Sequence, residues 1–295
     1  MSISEVSPFS FRGVSYYVKR DELIHPLLSG NKYRKLYNLI QANPETYHTL
    51  ISHGGAQSNA MLAIAALCQQ KGWRFEYICK TLPKHLKATP MGNFKQALAL
   101  GMQPIEVRHE AYDDAVIQAR LTQNEGVLFI PQGGACPMAE AGIQKLAKEI
   151  IDWQQAQNVK QLTVATPSGT GTTAFYLAKA LPNNRVLTTA VVGSNAYLKE
   201  QMQKLGELPN NLVFLEPTQK YQFAQPYPEL FQIHQELNQA GICFDLIYAS
   251  PMWLTLLANT QLIDGKLLYI HSGGLTGNAS MLERYAHLGL DSSSR

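Results

Sequence analysis

The chain has 295 residues, 45% hydrophobic and 16% charged, with a formal net charge of +3. The charged share lies below the roughly 25% of an average soluble domain, which excludes a disordered chain and suits one large or two modest folded domains. Without basic runs interleaved with aromatics, a pI near 8.5 excludes nucleic acid as the main partner.

Val14–Lys19 reads as a strand, and Ser29-Gly30-Asn31 then delivers Lys32 at the start of a helix expected over Lys32–Gln41. By itself that is a helix start with a basic face, formed by Lys32, Arg34 and Lys35. A strand over His48–Ser52 leads through His53–Asn59 into Ala60–Gln70, a helix apolar all round and therefore buried. Trp73–Cys79 is the next strand, and Thr89-Pro90-Met91 opens a helix that closes before Gly101. Strand Met102–Val107, helix Ala111–Asn124 and strand Val127–Ile130 lead to Pro131–Gly134, followed by a long helix over Met138–Gln157. Beyond it lie strand Leu162–Ala165, the turn Pro167–Thr173 and helix Ala174–Leu181. Strands are then expected at Val186–Val191, Leu212–Leu215, Ile242–Ile247 and Leu267–Ile270. Helices are expected at Asn195–Lys204, Glu229–Ala240, Met252–Asn259 and Asn278–His287, and Asp291–Arg295 reads as a frayed end.

This alternation implies an α/β fold, with mainly parallel sheets covered by helices on both faces. Ligands bind at the carboxyl ends of such strands, so the four glycine-rich turns at 53–59, 131–134, 167–173 and 271–274 are expected to share one cleft.

Ser168–Thr173 is the strongest of these signals. Its glycines, hydroxyls and free amides at a helix start form an anion site. No lysine completes a Walker loop, and Thr188–Ser194 lacks the acidic residue that a dinucleotide site places about 20 residues on. A monophosphate group fits, with a ligand-free structural turn as the alternative. Ser58 is either a plain helix cap or a group facing a substrate carboxylate. No histidine or cysteine spacing indicates a metal site, and no G-x-S-x-G elbow indicates a serine hydrolase. The cysteines Cys68, Cys79, Cys136 and Cys243 lack C-x-x-C spacing; Cys68, in an apolar helix, and Cys243, in a strand, read as buried thiols. Met1–Phe9 has no signal-peptide pattern and Ala60–Cys68 is too short to cross a bilayer, so a cytoplasmic protein without a membrane partner is expected. A lysine, a phosphate cradle and polar loops together suggest pyridoxal 5'-phosphate.

In these motifs and their order, from Lys19-Arg20-Asp21 to about Ser280, the chain resembles the 1-aminocyclopropane-1-carboxylate deaminase / D-cysteine desulfhydrase family. That resemblance implies the tryptophan synthase β-like fold, type II among pyridoxal-phosphate enzymes: two three-layer α/β domains, with residues 37–149 inserted into a larger unit of 1–36 plus 150–295. It implies a Schiff-base role for Lys32 and phosphate contacts for Lys35 and for Ser168, Gly169, Thr170, Gly171 and Thr172. It further implies Ser58 facing the substrate, Asn59 on the cofactor's phenolic oxygen and Ser272 on its pyridine nitrogen. Lys32 or Tyr248 would remove the α-proton. The family implies a homodimer acting on a small amino acid.

Three departures bear on the substrate. Ala249 stands where the cyclopropane-carboxylate deaminases carry Glu, Tyr248–Met252 lacks the desulfhydrase Y-T-G-K-A pattern, and Ala60 replaces a frequent His. The expected reaction is β-elimination to a keto acid and ammonia, with D-cysteine as first candidate. Cyclopropane-carboxylate deamination and a non-catalytic cofactor-binding protein are the alternatives.

Overall fold

The structure, a computed structural model, describes residues 3–28 and 30–290; Ser29 and the expected frayed end at 291–295 lie outside the described residues. The first strand, β1 (Val6–Phe11), was not expected from the sequence. It turns through Arg12 and Gly13, at φ 48° and 76°, into antiparallel β2 (Val14–Lys19). Two successive left-handed residues suit a two-residue hairpin. Helices α1 (Asn31–Lys35) and α2 (Tyr37–Gln41) follow, so the single helix expected over Lys32–Gln41 is broken. The break lies at Leu36, where Leu36 and Leu39 both turn into one core.

A smaller sheet is built next, by β3 (Thr49–His53), α3 (Asn59–Lys71), β4 (Arg74–Lys80), α4 (Lys84–Ala88), α5 (Gly92–Ala99), β5 (Met102–Val107), α6 (Tyr112–Leu121) and β6 (Val127–Ile130). Its four strands run parallel in the order β5-β4-β3-β6. The chain continues through α7 (Glu140–Ala156), β7 (Leu162–Ala165), α8 (Thr172–Ala180), β8 (Arg185–Thr188), α9 (Asn195–Gln203) and β9 (Leu212–Phe214). It ends with α10 (Pro228–Gln239), α11 (Ala249–Ala258), β10 (Lys266–Ile270) and α12 (Asn278–His287). These strands complete a six-stranded sheet in the order β1-β2-β10-β7-β8-β9, parallel except for the first pair.

Alternating side chains of the larger sheet enter two cores. Leu268 and Ile270 pack with Val164 under α7 and α8, whereas Leu267 and Tyr269 join Trp253 of α11 and Ile233 and Leu237 of α10. Burial on both faces explains why these parallel strands read as apolar runs. In the smaller sheet, α3 buries every residue from Ala60 to Cys68, as its composition requires. Helix α7 runs unbroken through 149 and 150 and buries Ile143, Leu146 and Ile150 against the larger sheet.

Two expectations fail together. The segment Ile242–Ile247 is not a strand, and Cys243 is exposed rather than buried. Side chains hold this stretch in place of a ladder: Asn278 accepts from Leu246 N at 2.9 Å and donates to Phe244 O at 3.1 Å. The His271 ring meets Cys243 O at 2.8 Å. Tyr248 accordingly sits at the N-cap of α11, not at a strand end. Among the described residues, no helix is long and apolar enough to cross a membrane.

Candidate active site

The expected site residues come from both halves of the fold and meet between the carboxyl ends of the two sheets. Lys32 and Lys35 lie one helical turn apart on α1, whose start is fixed by contacts to the turn after β10. Gly30 is at φ 61°, and a Cβ on it would stand 2.0 Å from Ser272 O; Asn31 N donates to that same carbonyl at 3.2 Å. Only glycine allows so close an approach. The lysine helix and the Ser272 turn are thus joined through the backbone.

Lys32 Nζ donates to Asn31 Oδ1 at 2.9 Å, and Lys35 Nζ donates to Gly133 O at 3.0 Å and meets Thr170 Oγ1 at 3.4 Å. Burial lowers Lys32 to about 8, against the opposing pull of Asp245. Burial and then the Lys32 charge push Lys35 well below the usual lysine range. Among the described residues neither lysine has a carboxylate within ion-pair distance.

Ser168 ends the extension of β7. Its amide donates to Thr189 O, its carbonyl accepts from Val191 N, and its hydroxyl lies 2.7 Å from Thr188 Oγ1. Its polar groups are committed to the sheet. The next residues are not: among the described residues, the amides of Gly169, Thr170, Gly171 and Thr172 reach no acceptor. They open α8, with Gly171 at φ 79° and the Thr170 and Thr172 hydroxyls 3.1 Å apart. Among the described residues the buried Thr173 hydroxyl also has no partner. Free amides at a helix start, with the Lys35 amine 3.4 Å from Thr170 Oγ1, make an anion site. A phosphate fits this cradle.

Ser58 caps α3, its hydroxyl accepting from Met61 N at 3.3 Å. Asn59 opens the same helix, and its Oδ1 accepts from Asn93 Nδ2 at 2.8 Å. That bond leaves Asn59 Nδ2 as the outward donor, and a Cβ on Gly274 (φ 85°) would stand 2.8 Å from it. The Ser272 hydroxyl lies 3.4 Å from Thr166 Oγ1. Tyr248 covers Gly169, on which a Cβ would stand 3.3 Å from its ring, and packs edge-on against Phe223 at 5.8 Å. Burial and then Asp245 raise the Tyr248 phenol. The Asp245 carboxylate itself accepts from the amides of Ile247, Tyr248 and Ala249.

Sequence reasoning gave no role to Asn93, which is fully buried and orients Asn59. Gln57 holds Asn93 in turn, accepting from its amide at 2.9 Å. The Gly92-Asn93 pair was the one visible signal, because Gly92 adopts φ 56° against the Gln57 side chain.

The sequence pattern of the pyridoxal-phosphate dependent enzyme family matches residues 5–239. The chain belongs to that family. A relative from Thermotoga maritima, named as a putative 1-aminocyclopropane-1-carboxylate deaminase, is 28% identical over 90% of this chain and 90% of its own. A D-cysteine desulfhydrase from Serratia proteamaculans is 27% identical, covering 90% of this chain and 88% of its own. Among solved structures, an ACC deaminase homologue superposes with a TM-score of 0.75 at 20% identity, over 96% of this chain and 94% of its own. A threonine deaminase from Solanum lycopersicum gives a TM-score of 0.64 at 14% identity, over 96% of this chain and 88% of its own. These likenesses show the type II fold of pyridoxal-phosphate enzymes. The cofactor is pyridoxal 5'-phosphate, whose phosphate suits the amides of Gly169–Thr172.

Proposed function

We propose that this pyridoxal-phosphate enzyme eliminates a β-substituent from a small amino acid and releases a keto acid and ammonia, with D-cysteine as first candidate. The observation that carries this reading is Ala249, a buried methyl side chain directly after Tyr248. Opening a cyclopropane ring with no α-proton needs a strong electron sink, which the deaminases support with Glu at this position. The neutral Ser272 hydroxyl beside Thr166 suits elimination. Relatives named as D-cysteine desulfhydrases support the same choice.

Lys32 is the attachment point for the cofactor, Lys35 and the Gly169–Thr172 amides take its phosphate, Asn59 Nδ2 its phenolic oxygen and Ser272 its ring nitrogen. When bound, the cofactor supplies an electron sink that stabilises negative charge at the substrate's α-carbon. Ser58 and the α3 N-terminus hold the substrate carboxylate. Lys32 is poised near neutral pH and takes the α-proton. Tyr248, raised by burial and Asp245, keeps its own proton and donates rather than accepts. For D-cysteine, the C–S bond breaks as the α-proton leaves, sulfide departs with a proton, and water converts the released enamine to pyruvate and ammonia.

The same reading takes residues 37–149 as a smaller unit inserted into 1–36 plus 150–295, with α7 shared at the junction, and takes the enzyme as a cytoplasmic homodimer. Light scattering of the purified protein tests the dimer. A panel of D- and L-amino acids with 1-aminocyclopropane-1-carboxylate, scored for keto acid, tests the reaction. Pyruvate from D-cysteine is the expected result. α-Ketobutyrate from the cyclopropane would favour the second reading, and no keto acid from the cofactor-loaded protein would overturn both.

A further inference from the structure

His53 ends β3, and Gln132 opens the turn after β6. The parallel pairing of these strands runs from Thr49↔Val127 to Ser52↔Ile130. The next residue, Pro131, has no N–H to offer a ladder. The His53 ring takes over: Gln132 N donates to its Nε2 at 3.2 Å, and its Nδ1 lies 3.0 Å from the Tyr112 hydroxyl. A backbone amide only donates, so Nε2 is the bare nitrogen and Nδ1 carries the proton. Stacking on Phe129, with centroids 5.6 Å apart and planes at 16°, fixes the ring.

The two segments joined by this ring serve opposite sides of the site. His53 leads into Gly54–Ser58, the turn that caps α3. Gln132 leads into Gly133, whose carbonyl accepts from Lys35 Nζ. A Cβ on Gly133 would stand 3.2 Å from Thr170 Cγ2. Both turns line one cavity of about 370 Å³, together with Lys80, Thr81 and Tyr112.

We propose that His53 is a positioning residue: its neutral ring staples the substrate-side turn Gly54–Ser58 to the Gln132–Gly134 turn that holds Lys35. The proposal rests on the assignment of those turns to substrate and cofactor made above. An imidazolium would carry N–H on both nitrogens and set one donor against the Gln132 amide. The staple therefore opens as pH falls through the His53 titration. Titratable groups face it from two elements. Tyr112, Asp113 and Arg120 come from α6, and Cys79 and Lys80 from β4, with Lys80 Nζ 5.3 Å from the centre of the Tyr112 ring. Burial and then Arg120 lower His53, with Asp113 opposing, so the neutral ring persists below the usual histidine range.

The test compares wild type, His53→Phe and His53→Gln, all loaded with cofactor. Phenylalanine keeps the stacking and removes the acceptor, whereas glutamine offers a carbonyl in its place. Because Gln132 is at the surface, where water can replace the lost acceptor, kcat/KM should fall about 3- to 10-fold in His53→Phe, mainly through KM. Wild type should show an acid limb, and His53→Gln should abolish it and recover most of that loss. Hydrogen exchange at 132–134 does not depend on turnover and should quicken in His53→Phe but not in His53→Gln. Unchanged kcat/KM or unchanged exchange in a folded His53→Phe would overturn the proposal. If wild type turns over no substrate of the panel, the functional reading fails, and exchange still decides whether the staple exists.

Discussion

Lys35 Nζ stands 3.4 Å from Thr170 Oγ1, so α1 and the turn after β7 meet through a buried amine. A lysine at this depth without a carboxylate partner is costly unless a counter-charge arrives. On the proposed reading, the cofactor phosphate is that charge. Lys35→Gln should therefore weaken cofactor binding about 10- to 100-fold, as expected for losing a charge-assisted contact. Titration of the cofactor's visible absorbance measures it.

The same lysine predicts a pH dependence. Burial and the Lys32 charge hold Lys35 well down before the cofactor binds, and a phosphate dianion raises it again. Binding then takes up a proton, so affinity should fall as pH rises from neutral. Lys35→Gln should flatten that slope.

Lys32 imposes a stability cost on the cofactor-free chain. Its folded value of about 8 lies below the ordinary 10.5, so between these values the unfolded chain binds more protons and stability rises with pH. Below about 8 the full cost of burying the charge is present. Lys32→Met keeps the length and removes the charge. In cofactor-free protein it should raise Tm at neutral pH and abolish the gain seen on raising pH through that window.

Ser58 has two roles that one substitution separates. Loss of its cap on α3 should cost about 1 kcal/mol in Ser58→Ala, read from the denaturation midpoint. A carboxylate contact adds a loss in kcat/KM that stability does not explain, about 10-fold or more. A fall in stability alone would leave Ser58 as a cap.

The Arg34 side chain is fully buried and contacts Asp21 at 2.7 Å and Glu149 at 2.6 Å, while Lys19 reaches Glu149 at 2.6 Å. Asp21→Ala removes one partner and leaves a buried guanidinium half-compensated. The denaturation midpoint should drop by the equivalent of about 3 kcal/mol, at the low end for breaking a buried pair because Glu149 remains.

Much of the larger framework was legible in short apolar runs bounded by turn residues. Met102–Val107, Val127–Ile130, Leu162–Ala165 and Asn278–His287 have the bounds their sequence implies. Strand β1 was hidden because Pro8 and two serines dilute its pattern, which an edge strand tolerates. Ile242–Ile247 misled for the opposite reason: it is apolar and β-prone, but Asn278 and His271 hold its backbone from distant turns. The candidate site was legible where a glycine-containing turn opens a helix, as at Gly30, Ser58 and Gly169. The Asn93–Asn59 bond and the His53 staple span 34 and 79 residues, and neither separation leaves a local pattern to read.

The central claim is that Lys32, and not its neighbour on the same helix, carries the cofactor. Borohydride reduction of the loaded protein makes that linkage permanent, and mass spectrometry of the digested chain locates it. The account predicts the pyridoxyl label on Lys32 and its loss in Lys32→Ala. A label on Lys35 or on any other lysine of the wild-type protein would contradict it.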